Sequence, residues 1–269
     1  MAQTRGLLVF ARNNGEVDYV GQAFDLARRA HMHLGLPTTI VTDSKNYDLS
    51  VFDNVIIDNS KTRHNTKSFY DGKLYKSAVQ WKNDLRSRSF YLSPYQETIV
   101  LDSDIVICND KFLKCFDLED NFAIYKESTD LVNRPTLPEF KTVSDNSVDF
   151  YWASCFFFRK DKITKTFFDL LTHIEQNWEH YIKTYNILTS NFRNDYLFSI
   201  GIHIMNGFVK GNFAHEMPGK LYHTTDKSTL VGIKDNTLTF VLEDGIACTI
   251  KDCNVHVMNK YSLDRCLHD

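Results

Sequence analysis

The sequence has 269 residues, 43% of them hydrophobic and 24% charged, with a formal net charge of −3. That composition suits a globular chain with material for one large α/β domain, and it excludes a polycation. No apolar run reaches the roughly 18 residues of a membrane span. The apolar start, Met1 to Leu8, is too brief for a signal peptide, so a cytoplasmic protein with no membrane association is expected.

Gly6 to Ala11 is a short apolar run and reads as a buried strand of a mostly parallel sheet. Asn13-Asn14-Gly15 breaks it. Asp18 to Leu34 has helical spacing of apolar residues and ends at Gly35, with Pro37 behind it. Thr38 to Thr42 and Asn54 to Asp58 read as the next strands. This β-α-β-β opening is that of a doubly wound sheet. Neither a Gly-x-Gly-x-x-Gly nor a Walker loop is present, which argues against a dinucleotide oxidoreductase or an NTPase.

Lys61 to Phe90 carries eight basic residues against only Asp71 and Asp84. Such a stretch can meet a diphosphate or a polyanion, or simply be a solvated face. Lys73 to Tyr91 is expected to be a long helix striped by Leu74, Ala78, Trp81 and Leu85. Thr98 to Leu101 is a strong strand that runs into Asp102-Ser103-Asp104 and resumes as Ile105 to Cys108. Val148 to Arg159 is a second apolar strand. Lys162 to Tyr185 and Asp195 to Met205 are helices. Leu230 to Ile233, Thr237 to Leu242 and Ile246 to Ile250 are short antiparallel strands. The six cysteines form no Cys-x-x-Cys pair, so they read as reduced thiols without zinc spacing.

The chemistry is carried by the apolar strand that ends in Asp-x-Asp. Alternation along an extended chain puts Asp102 and Asp104 on one side, with Ser103 pointing away. Two carboxylates emerging together repel unless a cation sits between them, and Mg²⁺ or Mn²⁺ suits such oxygen ligands. A strand-end Asp that caps a turn is the plainer alternative.

The segment Tyr91 to Cys108, YLSPYQETIVLDSDIVIC, resembles the Asp-x-Asp region of GT-A-fold glycosyltransferases. The similarity extends to phage-encoded members, in which a Pro-aromatic-x-Glu-Thr lead precedes the strand. The resemblance implies a single GT-A-like domain over residues 1–269, with a mostly parallel central sheet. Residues 1–110 would form the nucleotide-sugar half, 111–220 the acceptor half, and 221–269 a small antiparallel β region.

By the same resemblance, Phe10, Ala11, Arg12 and Asn13 hold the base and ribose, with Asp43 near that pocket. Asp102 and Asp104 bind the metal and Ser103 belongs to the donor contacts. His256 is the third metal ligand and Lys260 meets the diphosphate, although the spacing departs from the family's His-x-x-Gly-x-x-Lys. His256 could equally be a satisfied strand histidine. Arg86 and Arg88 are candidate diphosphate ligands, Arg86 preferred. Trp152 to Phe156 would line the sugar side. Asp195 would contact the donor sugar or act at the reacting carbon, or else cap its helix. His203, His215 and His223 remain unassigned.

The implied activity is transfer of a sugar from a nucleoside diphosphate sugar, a UDP-sugar foremost, to a hydroxyl. The His256 likeness leans towards retention of configuration. Among such phage enzymes are some that modify hydroxymethylated DNA bases, and the basic stretch is compatible with double-stranded DNA as acceptor. A saccharide or protein acceptor is the alternative, and a non-catalytic binding protein on the same fold is another. A two-metal phosphatase or nuclease would need more ligands than Asp102, Asp104 and Asp110 supply.

Overall fold

The computed structural model describes residues 4–61, 63, 65–134, 140–144, 148–189 and 191–268; residues 1–3 of the apolar start lie outside it. The chain opens with β1 (Arg5–Phe10), α1 (Tyr19–Leu34), β2 (Thr38–Thr42) and β3 (Asn54–Ile57), as the sequence suggests. Asp18 caps α1 by accepting from the Gly21 N–H at 3.0 Å, and Gly35 closes it in the left-handed region. β6 (Glu97–Asp102) pairs with β1 in parallel, so β3-β2-β1-β6 is a parallel sheet. β1, β2 and β6 are buried on both faces apart from the ends of β1 and β6, whereas the edge strand β3 alternates between half-buried and exposed.

The expected long helix over Lys73 to Tyr91 does not form. In its place stand an antiparallel hairpin of β4 (Asn65–Asp71) and β5 (Tyr75–Trp81), a 3₁₀ turn over Leu85–Arg88, and the single-turn α2 (Ser89–Leu92). Gly72 takes φ +66°, which the hairpin turn after Asp71 requires. Phe69, Val79 and Trp81 bury one face while Leu74, the first member of the supposed stripe, is fully exposed. The period is two, not three and a half.

Past the Asp-x-Asp turn come β7 (Ile105–Val106), β8 (Phe122–Tyr125) and β9 (Trp152–Arg159). β9 lies antiparallel to β6 and β8 antiparallel to β9, which completes six strands in the central sheet. The helical stretch after β9 is divided at Asn177 into α3 (Lys162–Gln176) and α4 (Trp178–Thr184), and α5 (Asn194–Met205) follows. β10 (Tyr222–His223) precedes the three-stranded antiparallel sheet of β11 (Thr229–Lys234), β12 (Thr237–Val241) and β13 (Ala247–Lys251). β14 (Val255–His256) and α6 (Lys260–His268) end the described chain. The expected α/β class, with a mostly parallel central sheet and a small antiparallel C-terminal sheet, is therefore the observed one.

Packing explains the Pro-aromatic lead before the strand. The buried Tyr95 ring lies over Gly6 of β1, and its hydroxyl is 2.8 Å from Thr39 Oγ1. A Cβ on Gly6 would come within 2.4 Å of that ring. We expect Gly6→Ala to destabilise the protein by about 1–3 kcal/mol through overpacking, as read from the midpoint of urea unfolding. An unchanged midpoint would show that Tyr95 can swing aside.

Candidate metal and donor site

Asp102 is the last residue of β6, and residues 103–104 form a turn before β7. The two carboxylates are thus brought together by a turn at the strand end. β7 pairs antiparallel with β14, His256 opposite Ile105, and the Val257 N–H donates to the Asp104 carbonyl at 2.9 Å. This register sets His256 beside the acidic turn. Its Nε2 lies 3.2 Å from Asp104 Oδ1 and 3.9 Å from Asp102 Oδ2. One ligand atom from each of Asp102, Asp104 and His256 falls within 4.8 Å of the others. Two carboxylate oxygens and an imidazole nitrogen form a donor set that fits Mn²⁺, and Mg²⁺ less closely.

Two cations stand against the same carboxylates. Lys260, the first residue of α6, places Nζ 2.5 Å from Asp104 Oδ2. Asn259 Oδ1 accepts from the Ser262 N–H at 3.0 Å, the bond a capping residue makes, and so fixes where α6 begins. Arg86, on the 3₁₀ turn after the hairpin, pairs with Asp102. Burial alone would raise the Asp104 carboxyl, but the Lys260 ammonium and the His256 imidazole hold it well below the usual carboxylate range. Its residual exposure is 3%, so these partners are what permit a charge there.

The turn opens into a cleft of about 700 Å³ that Phe10, Ser103, Trp152, Ser154, Asp195 and Lys260 help to line. That volume is in the range of small-ligand sites. Several buried polar atoms on its walls have no hydrogen-bond partner among the described residues: Tyr19 Oη, Trp152 Nε1, Ser154 Oγ and Asn194 Oδ1. Unsatisfied groups at this depth are rare in folded proteins unless a ligand completes them. Asp195 is in the first turn of α5 with Arg193 at the cap position, so it does not cap the helix. Its Oδ1 accepts from the Ala153 N–H at 3.1 Å and its Oδ2 from Arg193 at 3.0 Å. Burial opposes its charge, but Arg193, Lys67 and Arg86 keep its carboxyl below the usual value.

Phe10 reaches the cleft, whereas the residues after it are engaged elsewhere. Arg12, 2% exposed, donates to Asp58 Oδ1 at 2.7 Å and to the Asp58 and Ser60 carbonyls. Arg88 reaches the other Asp58 oxygen at 2.5 Å. Asn13 binds the Asp18 carboxylate and the Tyr47 hydroxyl. Ala11 is fully buried in the core, and Asp43 is half-buried outside the cleft walls.

Sequence reading missed Lys67, Arg193 and His223. Lys67 and Arg193 line the cleft from the unforeseen hairpin and from the segment before α5. His223 is set beside His256 by the parallel pairing of β10 with β14, and its ring packs at a tilt of 39° against Trp152 with centroids 5.1 Å apart. Burial and the neighbouring His256 push its pKa down to about 4. No linear spacing signals that neighbourhood.

No protein-family model matches the sequence, and no curated protein matches it. Solved structures resemble it in outline. The glycosyltransferase GlyE of Streptococcus pneumoniae is 11% identical, with a TM-score of 0.46, over 80% of this chain and 45% of that one. Mouse xyloside xylosyltransferase 1 is 12% identical, with a TM-score of 0.46, over 79% of this chain and 84% of that one. A 4-diphosphocytidyl-2C-methyl-D-erythritol synthase of Anaerococcus prevotii is 9% identical, with a TM-score of 0.39, over 82% and 90%. These likenesses are of general outline only, and the chemistry has to be read from the residues.

The Asp58 network has a measurable consequence. Burial would raise the Asp58 carboxyl, but the Ser60 hydroxyl and N–H, with Arg88 and Arg12, outweigh it and lower the pKa. Its contribution to stability is therefore complete above the unfolded aspartate value, about 4. It is lost as pH falls through the depressed folded value. Asp58→Asn should cost about 3 kcal/mol at pH 7, because it strands Arg12. It should also flatten the acid limb of stability measured by urea unfolding from pH 7 to pH 2. An acid limb parallel to the wild type's would remove Asp58 as its source.

Proposed function

We propose that the chain is a metal-dependent glycosyltransferase that moves a sugar from a nucleoside diphosphate sugar, a UDP-sugar foremost, to a hydroxyl of a saccharide or protein acceptor. The observation that carries this reading is the Asp102–Asp104–His256 cluster with Lys260 and Arg86 on its carboxylates, at the base of a cleft with unpartnered polar walls.

Asp102, Asp104 and His256 would hold the divalent cation, which supplies charge neutralisation for the diphosphate. Lys260 and Arg86 add fixed positive charge beside it, and Arg86 offers the planar fork that suits phosphate oxygens. The unpartnered Trp152 Nε1, Ser154 Oγ and Asn194 Oδ1 offer hydrogen bonds to sugar hydroxyls. Asp195, fixed through both oxygens and kept ionised, is the carboxylate best placed to steady positive charge developing on the reacting sugar. The buried aromatic face of Trp152 keeps water from that space.

The acceptor reading rests on where the basic stretch goes. Lys67 and Arg86 line the cleft, Lys82 donates to the Asn13 carbonyl at 3.0 Å, Arg88 holds Asp58, and Arg63 donates to the Glu175 carbonyl. The stretch is thus divided between the cleft, contacts with other segments and the exposed Lys61, Lys73 and Lys76, and does not turn all eight side chains to one face for a duplex. This supports a saccharide or protein acceptor over double-stranded DNA carrying hydroxymethylated bases. No helix among the described residues is long and apolar enough to cross a membrane.

Calorimetric titration of UDP tests the reading. With Mn²⁺ present the affinity should rise at least about tenfold, the scale of one charge-assisted contact. Asp102→Asn and Asp104→Asn, checked for fold by circular dichroism, should erase the metal-dependent gain. Equal affinity with and without Mn²⁺ in the wild type would leave only a binding protein. Donor hydrolysis should then be followed across UDP-, GDP- and CDP-sugars, with oligosaccharides, hydroxyl-bearing peptides and hydroxymethylcytosine DNA as acceptors. Transfer to the DNA alone would reverse the acceptor assignment.

A further inference from the structure

Among the described residues, one cation that lines the cleft makes no direct ion pair, although the Asp195 carboxylate acts on it from further away. Lys260 pairs with Asp104, Arg86 with Asp102, Arg193 with Asp195 and Lys227 with Glu243. Among the described residues no ion pair reaches Lys67. Its ammonium lies 3.5 Å from the centroid of the Trp81 ring.

The backbone places Lys67 and Arg193 on adjoining segments. Asn191 Nδ2 donates to the Thr66 carbonyl at 2.9 Å, and the Phe192 N–H donates to Asn65 Oδ1 at 3.1 Å. Residues 191–193 are thereby pinned along β4, which carries Lys67, and Arg193 follows directly. Both side chains line the cleft, and neither touches the Asp102–Asp104–His256 set. Burial, and then the charge of Arg193, depress the Lys67 pKa well below that of a free lysine, and the Asp195 carboxylate offsets only part of this. A site that holds two like charges together, only one of them paired, is relieved by an anion. Aromatic surface borders it: the Arg193 guanidinium is 5.1 Å from the Tyr196 ring and 5.9 Å from that of Phe140. Aromatic faces beside an anion point suit a charged sugar ring better than a bare ion.

We propose that Lys67 and Arg193 form a second anion-recognition point in the cleft, which seats a carboxylate or phosphate carried on the acceptor sugar. The inference rests on the glycosyltransferase reading for the word acceptor and on its own geometry for the anion. Arg86 and Lys260 serve the donor diphosphate, whereas Lys67 makes no direct ion pair; Asp226, the other cleft carboxylate outside the ion pairs, accepts from the Tyr70 N–H instead. The acceptor class is then an acidic saccharide, and Lys67 discriminates it from a neutral one.

The test titrates three rings into protein saturated with Mn²⁺ and UDP: methyl glucoside, methyl glucuronide and glucose 6-phosphate. At least one charged ring should bind about tenfold more tightly than the neutral one, as expected for one charge-assisted hydrogen bond. Which charged ring gains tells carboxylate from phosphate. The gain should vanish in Lys67→Gln and return in Lys67→Arg, both checked for fold by circular dichroism. Equal binding of all three rings, absence of binding by both charged rings, or a charged preference that survives Lys67→Gln would each overturn the proposal. UDP titrated with Mn²⁺ reports separately on the donor site. If it fails to bind, the glycosyltransferase reading falls, and the three rings titrated without nucleotide still decide whether Lys67 recognises an anion.

Discussion

Ile105 against His256 and Val106 against Val255 are only two residues of strand pairing, yet they join distant parts of the chain. That short ladder returns the C-terminal segment to the tip of the central sheet, where Asp104 has already been buried by the turn. A carboxylate at this depth is strongly disfavoured when alone. The ladder delivers its remedy in two steps, an imidazole within the strand and an ammonium at the start of the next helix. Closing such a long loop is entropically unfavourable, so the pairing must be held by more than two residues. Asn254 contributes, its Oδ1 accepting from the Cys108 and Asn109 N–H groups at 2.8 and 3.1 Å. The apolar cluster of Val106, Leu238, Phe240, Val257 and Leu263 fills the space beneath.

The same geometry gives the cleft its character. Charges of both signs are close together and each carboxylate of the acidic turn is already paired, so the site is organised before anything enters it. Such pairs contribute little net stability, because desolvation offsets most of the attraction. What they supply is position: Lys260 and Arg86 are held where negative charge would be met. The orphaned hydroxyl, amide and indole groups on the adjoining wall are the complementary case. Among the described residues no side chain or backbone group satisfies Trp152 Nε1 or Ser154 Oγ, and a fold stabilised for its own sake would have replaced them with apolar groups.

How much of this was legible in the sequence depends on the range of the interaction that fixed it. The β1-α1-β2-β3 opening is local: an apolar run, a cap at Asp18, a stop at Gly35 and a β-branched strand each carry their own signal. So are the three C-terminal strands with their polar turns. The acidic pair was legible because both flanks are apolar strand, although a turn rather than strand alternation brings the carboxylates together. The segment 65–81 was not, because Leu74, Ala78, Trp81 and Leu85 satisfy a helical spacing as well as Phe69, Val79 and Trp81 satisfy an alternating one. The Asp71-Gly72 turn decides between them, and only the cross-strand partners make that decision visible. Arg12 sits in the segment after β1 expected to hold the base and ribose, but it is bound to Asp58, a partner no spacing rule connects to it.

The misread hairpin is also what encloses the site. β4 and β5 bring Lys67, Phe69 and Trp81 to the cleft. Their outer end is tied to the C-terminal segment several times over. The Tyr70 N–H donates to Asp226, Asp71 holds Arg265 through both oxygens, and Ser77 meets the Tyr261 hydroxyl. Asn259, whose side chain sets the start of α6, also reaches Asp71 at 3.3 Å. The residue before Lys260 therefore bonds to both the hairpin and the loop at Ser228. A helix at residues 73–91 would have offered neither the edge nor the reach for those contacts. Hairpin and C-terminal helix fix each other, and between them they fix the ammonium that stands on Asp104.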